Sequence, residues 1–368
     1  MKIVLRSLLT PLTLIIMLVS LPLCAAEVKD LYSAQTDASL NDSKRNQTAL
    51  ATVLVKVTGK EQILEHPAVR SAMRRASDLL LSFRFDVRDG QRVYLATFDQ
   101  SKVDALINTA DFPLWSSIRP HTLVWLAVED EQGERVVINE DSPQTLKSVL
   151  LTEVSQRGLD VSLPLMDLTD LAVVSLYDIW GRFSLPVLEA SQRYQPDMVV
   201  LARLHKATPE APMETAEQNA DALGTDTMPG WQLEWQNLTM GQLTREQISG
   251  DNPQLLIRQF VAAMATQQAQ RYAVSLSQDQ TELQTVQLKI TNVFDLLGYE
   301  NARRYLAGLT SVAEIRTAEV NGNVVTFSLR LYSSAQELRR TLALDDKLKT
   351  ARDEFGMPVS ELEFSWEP

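Results

Sequence analysis

The spacing of hydrophobic and polar positions changes along the chain and divides it into three blocks. In the first block, apolar residues recur at helical spacing from Asn41 to Val57, and Gly59 follows where a C-terminal cap is expected. Two segments, LSFRFDV and QRVYLATF, then alternate with a period of two around an Asp-Gly dipeptide, which is typical of a β-hairpin. The pattern predicts a small α+β domain over residues 27–119.

The second block combines buried strands with helices. HTLVWLAV and DMVVLARL are nearly continuous apolar runs, as expected of strands that are covered on both faces. Helical segments alternate with them, and a long one is predicted from Pro253 to about Ala273. This order indicates a central α/β sheet domain over residues 120–277. Within it, residues 206–228 are rich in Ala, Thr, Glu and Pro without an apolar period, which predicts a mobile loop.

The third block, residues 278–368, shows two strand–helix repeats around a hairpin. It begins with the alternating segment TVQLKIT and ends with ELEFSWE. The predicted order β-α-β-β-α-β is the ferredoxin-like pattern, with two helices on one face of an antiparallel sheet. The predicted fold class is therefore a multidomain protein of α+β and α/β type.

The amino-terminal segment has the features of a secretory signal peptide. Lys2 and Arg6 precede an apolar run that is shorter than the roughly 20 residues of a membrane-spanning helix, and Cys24-Ala25-Ala26 follows it. We expect residues 1–26 to be the signal peptide, cleaved after about Ala26, and the mature protein to be periplasmic. Retention as an anchor and lipidation at Cys24 remain open.

Charge and cysteine content indicate the kind of compartment and the kind of partner. The 368 residues carry a formal net charge of −12 and contain one cysteine, which cleavage would remove. A protein without thiols suits an oxidising compartment. Nucleic-acid binding needs a basic surface, so the acidic balance argues against it. No later segment is long and apolar enough to span a bilayer, and we expect no stable membrane span after cleavage.

Several common catalytic patterns are missing from the sequence. It has no G-x-S-x-G, no G-x-G-x-x-G, no P-loop and no H-E-x-x-H. The three histidines, His66, His121 and His205, are far apart and lack the spacing of metal ligands. We therefore predict no cofactor and no metal, and the missing motifs favour a non-enzymatic function.

One polar and aromatic group follows a predicted strand of the central domain. Ligands of open α/β sheets bind beyond the carboxyl ends of the strands, so we expect these side chains to line a cleft for a polar ligand or a peptide. The candidate binding residues are Asp167, Asp178, Trp180, Arg182 and Arg193. A structural interpretation stays open, in which Asp170 caps a helix, Asp178 pairs with Arg182, and Trp180 belongs to the core.

Several segments resemble the signature of an uncharacterised bacterial envelope family, the domain of unknown function number 2066. They are RPHTLVWLAV, SQRGLDVSLPLMDLTD, DIWGRFS and ASQRYQPDMVVLARL, together with VKDLYSA and ALATVLVKVTGK near the start. The three-block layout is more distantly similar to periplasmic accessory proteins whose middle domain resembles the amino-terminal domain of TolB. The resemblance implies an envelope location and supplies no catalytic residues.

Three functional hypotheses follow from these observations. The first is an exported, non-enzymatic protein that binds another envelope protein through its α/β domain. The second is a hydrolase of an envelope polymer that uses Asp167 or Asp178, one of them with a raised pKa. The third is a small-ligand receptor in the central domain. The sequence leaves the partner, the ligand and the oligomeric state open.

Overall fold

The computed structural model describes residues 30–88, 90–130, 132–142, 145–207, 230–239, 245–275, 283–345, 347–352, 355 and 357–367. The predicted signal peptide and most of the predicted loop at 206–228 lie outside these residues. Three separate sheets are formed, each packed against its own helices. This confirms the predicted multidomain α/β class, whereas the domain boundaries stay predictions.

The first unit is a three-stranded antiparallel sheet in the order β1-β3-β2, packed against α1. Its elements are β1 (Ser33–Asp37), α1 (Asp42–Thr58), α2 (Pro67–Met73), β2 (Leu80–Arg88), β3 (Gln91–Phe98) and α3 (Gln100–Thr109). The predicted hairpin is confirmed as β2–β3. Asn41 caps α1 by accepting a hydrogen bond from the Lys44 amide, and Gly59 ends it with a φ of 68°.

Gly59 also marks a close contact between the first unit and the central one. A Cβ atom at this position would overlap the side chain of Ala269 and lie 3.1 Å from the Trp115 ring. The linker after α3 reinforces the contact, since the Trp115 amide donates to the Val57 carbonyl at 2.8 Å. Trp115 itself is buried in the core of the central sheet.

The central unit is a six-stranded mixed sheet between two layers of helices. Its elements are β4 (Thr122–Glu129), β5 (Arg135–Ile138), α4 (Thr145–Arg157), β6 (Val161–Ser162), α5 (Leu168–Leu171), α6 (Leu176–Gly181), α7 (Ser184–Ser191), β7 (Met198–Lys206), β8 (Trp231–Asn237), β9 (Arg245–Gly250) and α8 (Pro253–Tyr272). The strand order is β5-β4-β7-β8-β9, and β6 lies beside the start of β4. Only β6 and β7 run parallel to β4.

The two faces of this sheet bury alternate side chains of β4, as the pleat of a strand requires. Val124 and Leu126 pack into the core formed with α4 and α8. Leu123 and Trp125 pack into a second core with residues of α6 and α7. Because β4 and β7 are covered on both faces, their sequences are nearly continuously apolar.

The third unit departs from the predicted ferredoxin-like pattern at its end. Its elements are β10 (Gln284–Thr291), α9 (Leu296–Ala307), β11 (Val312–Asn321), β12 (Val324–Leu331), α10 (Ala335–Leu342), β13 (Leu348–Thr350) and β14 (Glu363–Trp366). The order is β11-β12-β10-β14-β13, and β14 runs parallel to β10. The extra strand β13 reverses the direction of the chain once more. The final strand, β14, therefore runs parallel to β10, whereas the ferredoxin-like pattern requires it to run antiparallel.

Candidate functional site

The helices α5, α6 and α7 and the turns around them carry the five predicted binding residues. Asp178 lies in the first turn of α6 and forms a capping box with Ser175. Its carboxylate accepts hydrogen bonds from the Ser175 amide at 2.8 Å and from the Ser175 hydroxyl at 2.6 Å. These bonds hold the pKa of Asp178 below its ordinary value. Asp178 therefore fixes the start of a helix and does not pair with Arg182.

Asp167 caps the preceding helix, α5, and also binds Arg193. Its Oδ1 accepts from the amides of Thr169 and Asp170, at 3.0 and 3.1 Å. Arg193 binds both carboxylate oxygens, with distances of 2.6 Å to Oδ1 and 3.0 Å to Oδ2. The hydrogen bonds from Arg193 are the main reason why the pKa of Asp167 is lowered to about 2.

Asp170 extends this arrangement into the interior, since its side chain is fully buried. Its Oδ2 accepts from the Tyr194 hydroxyl at 2.5 Å and from the Met166 amide at 2.9 Å, and Arg193 donates to its Oδ1 at 3.1 Å. We call Asp167, Asp170, Arg193 and Tyr194 the Asp167–Arg193 cluster. The structural interpretation of Asp170 as a helix cap was wrong, because Asp167 occupies that position.

Arg182 belongs to a different group of charged residues. It ends α6 in the left-handed conformation, with a φ of 58°, which directs the chain from α6 into α7. Its Nη1 lies 2.6 Å from Oε2 of Glu234, and Nε of Arg203 donates to the same oxygen at 3.0 Å. His205 Nε2 lies 3.5 Å from the other oxygen of Glu234. We call these four residues the Arg182–Glu234 cluster.

The Arg182–Glu234 cluster is largely removed from solvent. The side chains of Arg182 and Glu234 are 15% and 11% exposed. Burial lowers the pKa of Arg182, and the positive charges of Arg203 and Arg245 lower it further against the opposing effect of Glu234. A buried carboxylate that neutralises two guanidinium groups is costly to disrupt, because removing it leaves uncompensated charges.

Trp180 lies against the same cluster and is half-buried, with its side chain packed against the edge of the core on this face of the sheet. The Arg203 Nη1 donates to the Trp180 carbonyl at 3.1 Å. The Arg135 guanidinium lies 4.1 Å from the centre of the Trp180 ring, and the His205 ring contacts its edge. Arg135 and Glu234 were missed from sequence, because they reach this place only through the pairing of β5 and β8 in the sheet.

The hydrogen bonds and ion pairs thus separate the five predicted binding residues into two clusters and one helix cap. Asp167 and Arg193 belong to one cluster, Trp180 and Arg182 adjoin the other, and Asp178 belongs to neither. A general acid needs a raised pKa, whereas the pKa values of both named carboxylates are lowered. Asp167 is engaged as the cap of α5 and by Arg193, and Asp178 is engaged in the capping box of α6, so the two carboxylates do not fit the acid–base roles of the hydrolase hypothesis.

Large apolar side chains are exposed on the same three helices and the turns that flank them. The most exposed are Leu168 at 87%, Leu185 at 82% and Tyr177 at 78%. We call this set the α5–α7 surface; its members are Leu165, Leu168, Leu171, Val173, Tyr177, Phe183 and Leu185. Concentrations of exposed apolar side chains of this kind mark interaction sites in soluble proteins.

Two further features bear on the metal and small-ligand hypotheses. Across the described ranges, no three His, Cys, Asp or Glu residues come together in a way that could hold a metal ion. A cavity of about 440 Å³ opens between the linker and the third unit, where Ile118, Tyr305 and Trp366 line it, and not at the five predicted residues. A small-ligand receptor in the central domain remains a prediction. None of the helices that the structure describes is long and apolar enough to cross a membrane.

Comparison with known proteins gives one match. A family model described as a domain of unknown function, DUF8605, matches residues 25–116, which include the whole first unit. No curated protein and no solved structure matches the chain. The resemblances to the family of domain 2066 and to TolB are not confirmed.

Proposed function

We propose that this protein is an exported, non-enzymatic envelope protein that binds another envelope protein through the α5–α7 surface. The observation that carries the proposal is the exposure of Leu168, Tyr177 and Leu185 on helices that polar contacts hold in place. The amino-terminal signal-like segment supports the envelope location.

The polar residues act as the supports of this surface. The helices have 4, 6 and 8 residues, and helices of this length are unstable without tertiary contacts. The Asp167–Arg193 cluster fixes α5, the Ser175–Asp178 box begins α6, and the Arg182–Glu234 cluster fixes its end. A surface that is ordered before binding loses less conformational entropy when a partner docks.

The composition of the α5–α7 surface suits a protein partner. Aromatic and aliphatic side chains, here Tyr177, Phe183 and Leu185, provide the apolar centre that protein interfaces require. The charge of Arg193, which is about one-third exposed, is already neutralised by Asp167 and Asp170, so the surface offers mainly apolar contacts. A partner with a complementary apolar centre would fit it.

Site-specific photo-crosslinking in the living cell tests the proposal. A photoreactive residue is placed at Tyr177 or Leu185 of the full-length chain, and at Phe294, which is equally exposed but lies in the third unit. We expect Tyr177 and Leu185 to crosslink the same envelope protein, which Phe294 does not, in a periplasmic product that lacks residues 1–26. Leu185→Ser should reduce the product without changing the melting temperature. Crosslinking that is equal at all three positions, or a cytosolic product that retains Met1, would contradict the proposal.

A further inference from the structure

The outer strand of the first unit, β2, has a free edge and an apolar face. It ends the strand order β1-β3-β2, and no strand of the described chain pairs with its outer side. The side chains of Leu81, Phe83, Phe85 and Val87 are 67%, 58%, 40% and 67% exposed. A bulge interrupts only the start of this strand, between Leu80 and Ser82, and the part from Phe83 to Val87 is regularly paired with β3. A regular edge with apolar side chains can recruit another strand.

The direction of the backbone groups follows from the pairing within the sheet. The Phe98 amide donates towards β1, to the Tyr32 carbonyl at 2.9 Å. The direction of the backbone groups alternates from one residue to the next along a strand. The amide and carbonyl groups of Val93 and Leu95 therefore point towards β2, where their partners are Asp86 and Arg84. The amide and carbonyl groups of the intervening residues of β2, which are Phe83, Phe85 and Val87, therefore point outwards. The residues with apolar side chains are also the ones that can bond a further strand.

The charges of β2 fit a second copy of the same strand in one register. If two antiparallel β2 strands meet at a two-fold axis through Phe85, Phe83 lies opposite Val87 of the second copy. Arg84 then lies opposite Asp86 of the second copy, and Asp86 opposite its Arg84. A two-fold axis through Arg84 would place two arginines opposite each other. An axis through Asp86 would place two aspartates opposite each other. Opposite charges on facing positions stabilise strand pairing, and like charges weaken it.

We propose that the protein forms a symmetric dimer in which two β2 strands pair about Phe85 and join the two first units into one six-stranded antiparallel sheet. Two local contacts change on pairing. The Asp86 carboxylate, which accepts from the Val87 amide at 2.8 Å, releases it and turns to Arg84 of the second copy. Asp86 also leaves Arg88, from which it is 3.9 Å away. This surface is separate from the α5–α7 surface, so the inference is independent of the proposed function.

Charge reversal tests both the dimer and its register. Sedimentation equilibrium of the full chain should show a reversible dimer. Arg84→Asp and Asp86→Arg should each raise the dissociation constant about tenfold, because two attractive pairs become repulsive. The double variant Arg84→Asp/Asp86→Arg recreates both pairs and should return the constant to within about twofold of the original. Because these side chains are at the surface, circular dichroism should be unchanged in all three.

A cysteine scan gives a second and direct measure of the register. In a Cys24→Ala background, Phe85→Cys should form an intermolecular disulfide on mild oxidation, since the two Cα atoms face each other across the axis at roughly 5.5 Å. Phe83→Cys, whose copies lie on opposite sides of the axis, should not. A monomer at all concentrations, failure of the double variant to restore the dimer, or equal disulfide formation at both positions would overturn the proposal.

Discussion

The two faces of the central sheet are stabilised in different ways. One face carries α4 and α8, with 13 and 20 residues, over a continuous apolar core in which Trp235 packs against Phe260 with ring centres 5.4 Å apart. The other face carries α5, α6 and α7, which are much shorter and depend on carboxylates and arginines. Burial alone can hold a long helix, whereas a short one needs specific polar contacts.

This difference decides where apolar side chains are left exposed. On the α4–α8 face, Leu256, Phe260 and Val261 are buried against the sheet. On the opposite face, ion pairs and capping hydrogen bonds supplement a smaller apolar core, and large apolar side chains remain outside. Two substitutions should separate the two modes of stabilisation, and a smaller pH effect tests a polar contact at the start of β4.

The largest effect is expected from Phe260→Ala, in the middle of α8. Phe260 is fully buried, so its removal leaves a cavity and should lower the free energy of unfolding by about 3–5 kcal/mol. Urea denaturation measures this change. Leu255→Ala, on the same helix but half exposed, is the matched control and should cost much less. Equal effects of the two substitutions would contradict a core-dominated face.

A smaller effect is expected from Glu234→Gln, which removes the charge between Arg182 and Arg203. We expect a loss of about 2–3 kcal/mol in the free energy of unfolding, because two largely buried guanidinium groups lose their counter-charge. Glu246→Gln on the adjacent strand is the control, since Glu246 lies opposite Trp235 on the other face of the sheet. If both variants were equally stable, the Arg182–Glu234 cluster would not hold this face together.

The smallest effect is a pH dependence at the start of β4. Nδ1 of His121 donates a hydrogen bond to the Asp160 carboxylate at 3.1 Å, which raises the pKa of His121 above its ordinary value. This stabilisation is fully present below about pH 6.5 and is lost as the pH rises through the raised pKa. Relative to His121→Gln, the original protein should therefore lose stability over this range, as thermal denaturation at a series of pH values would measure. Asp160→Asn should remove most of the dependence, because only the smaller effect of the Asp197 charge then remains. An undiminished dependence in that variant would assign it to another group.

Sequence patterns identified most elements because they report local periodicity. The two buried strands, the long helix α8 and the β2–β3 hairpin follow from the spacing of apolar residues and from the Asp-Gly turn. The ferredoxin-like closure failed because β13 has three residues, which is too short to show a period.

The candidate site was predicted only in part, for a related reason. Residues close in sequence, such as Asp167 and Asp178, were found, but their partners depend on the tertiary fold. Glu234 joins Arg182 through the pairing of β8 with β7, which no local pattern shows. Attention to polar residues also overlooked the exposed side chains beside them, since Leu168 and Leu185 look like core residues in a helical pattern.

Gly59 determines how closely the first and central units approach each other. Its missing side chain lets the end of α1 touch α8 without a gap, and its left-handed φ of 68° disfavours most replacements. An added methyl group at position 59 would overlap the Ala269 side chain and crowd the Trp115 ring. Gly59→Ala should therefore push α1 away from α8 and loosen the junction through which the first unit is joined to the central one.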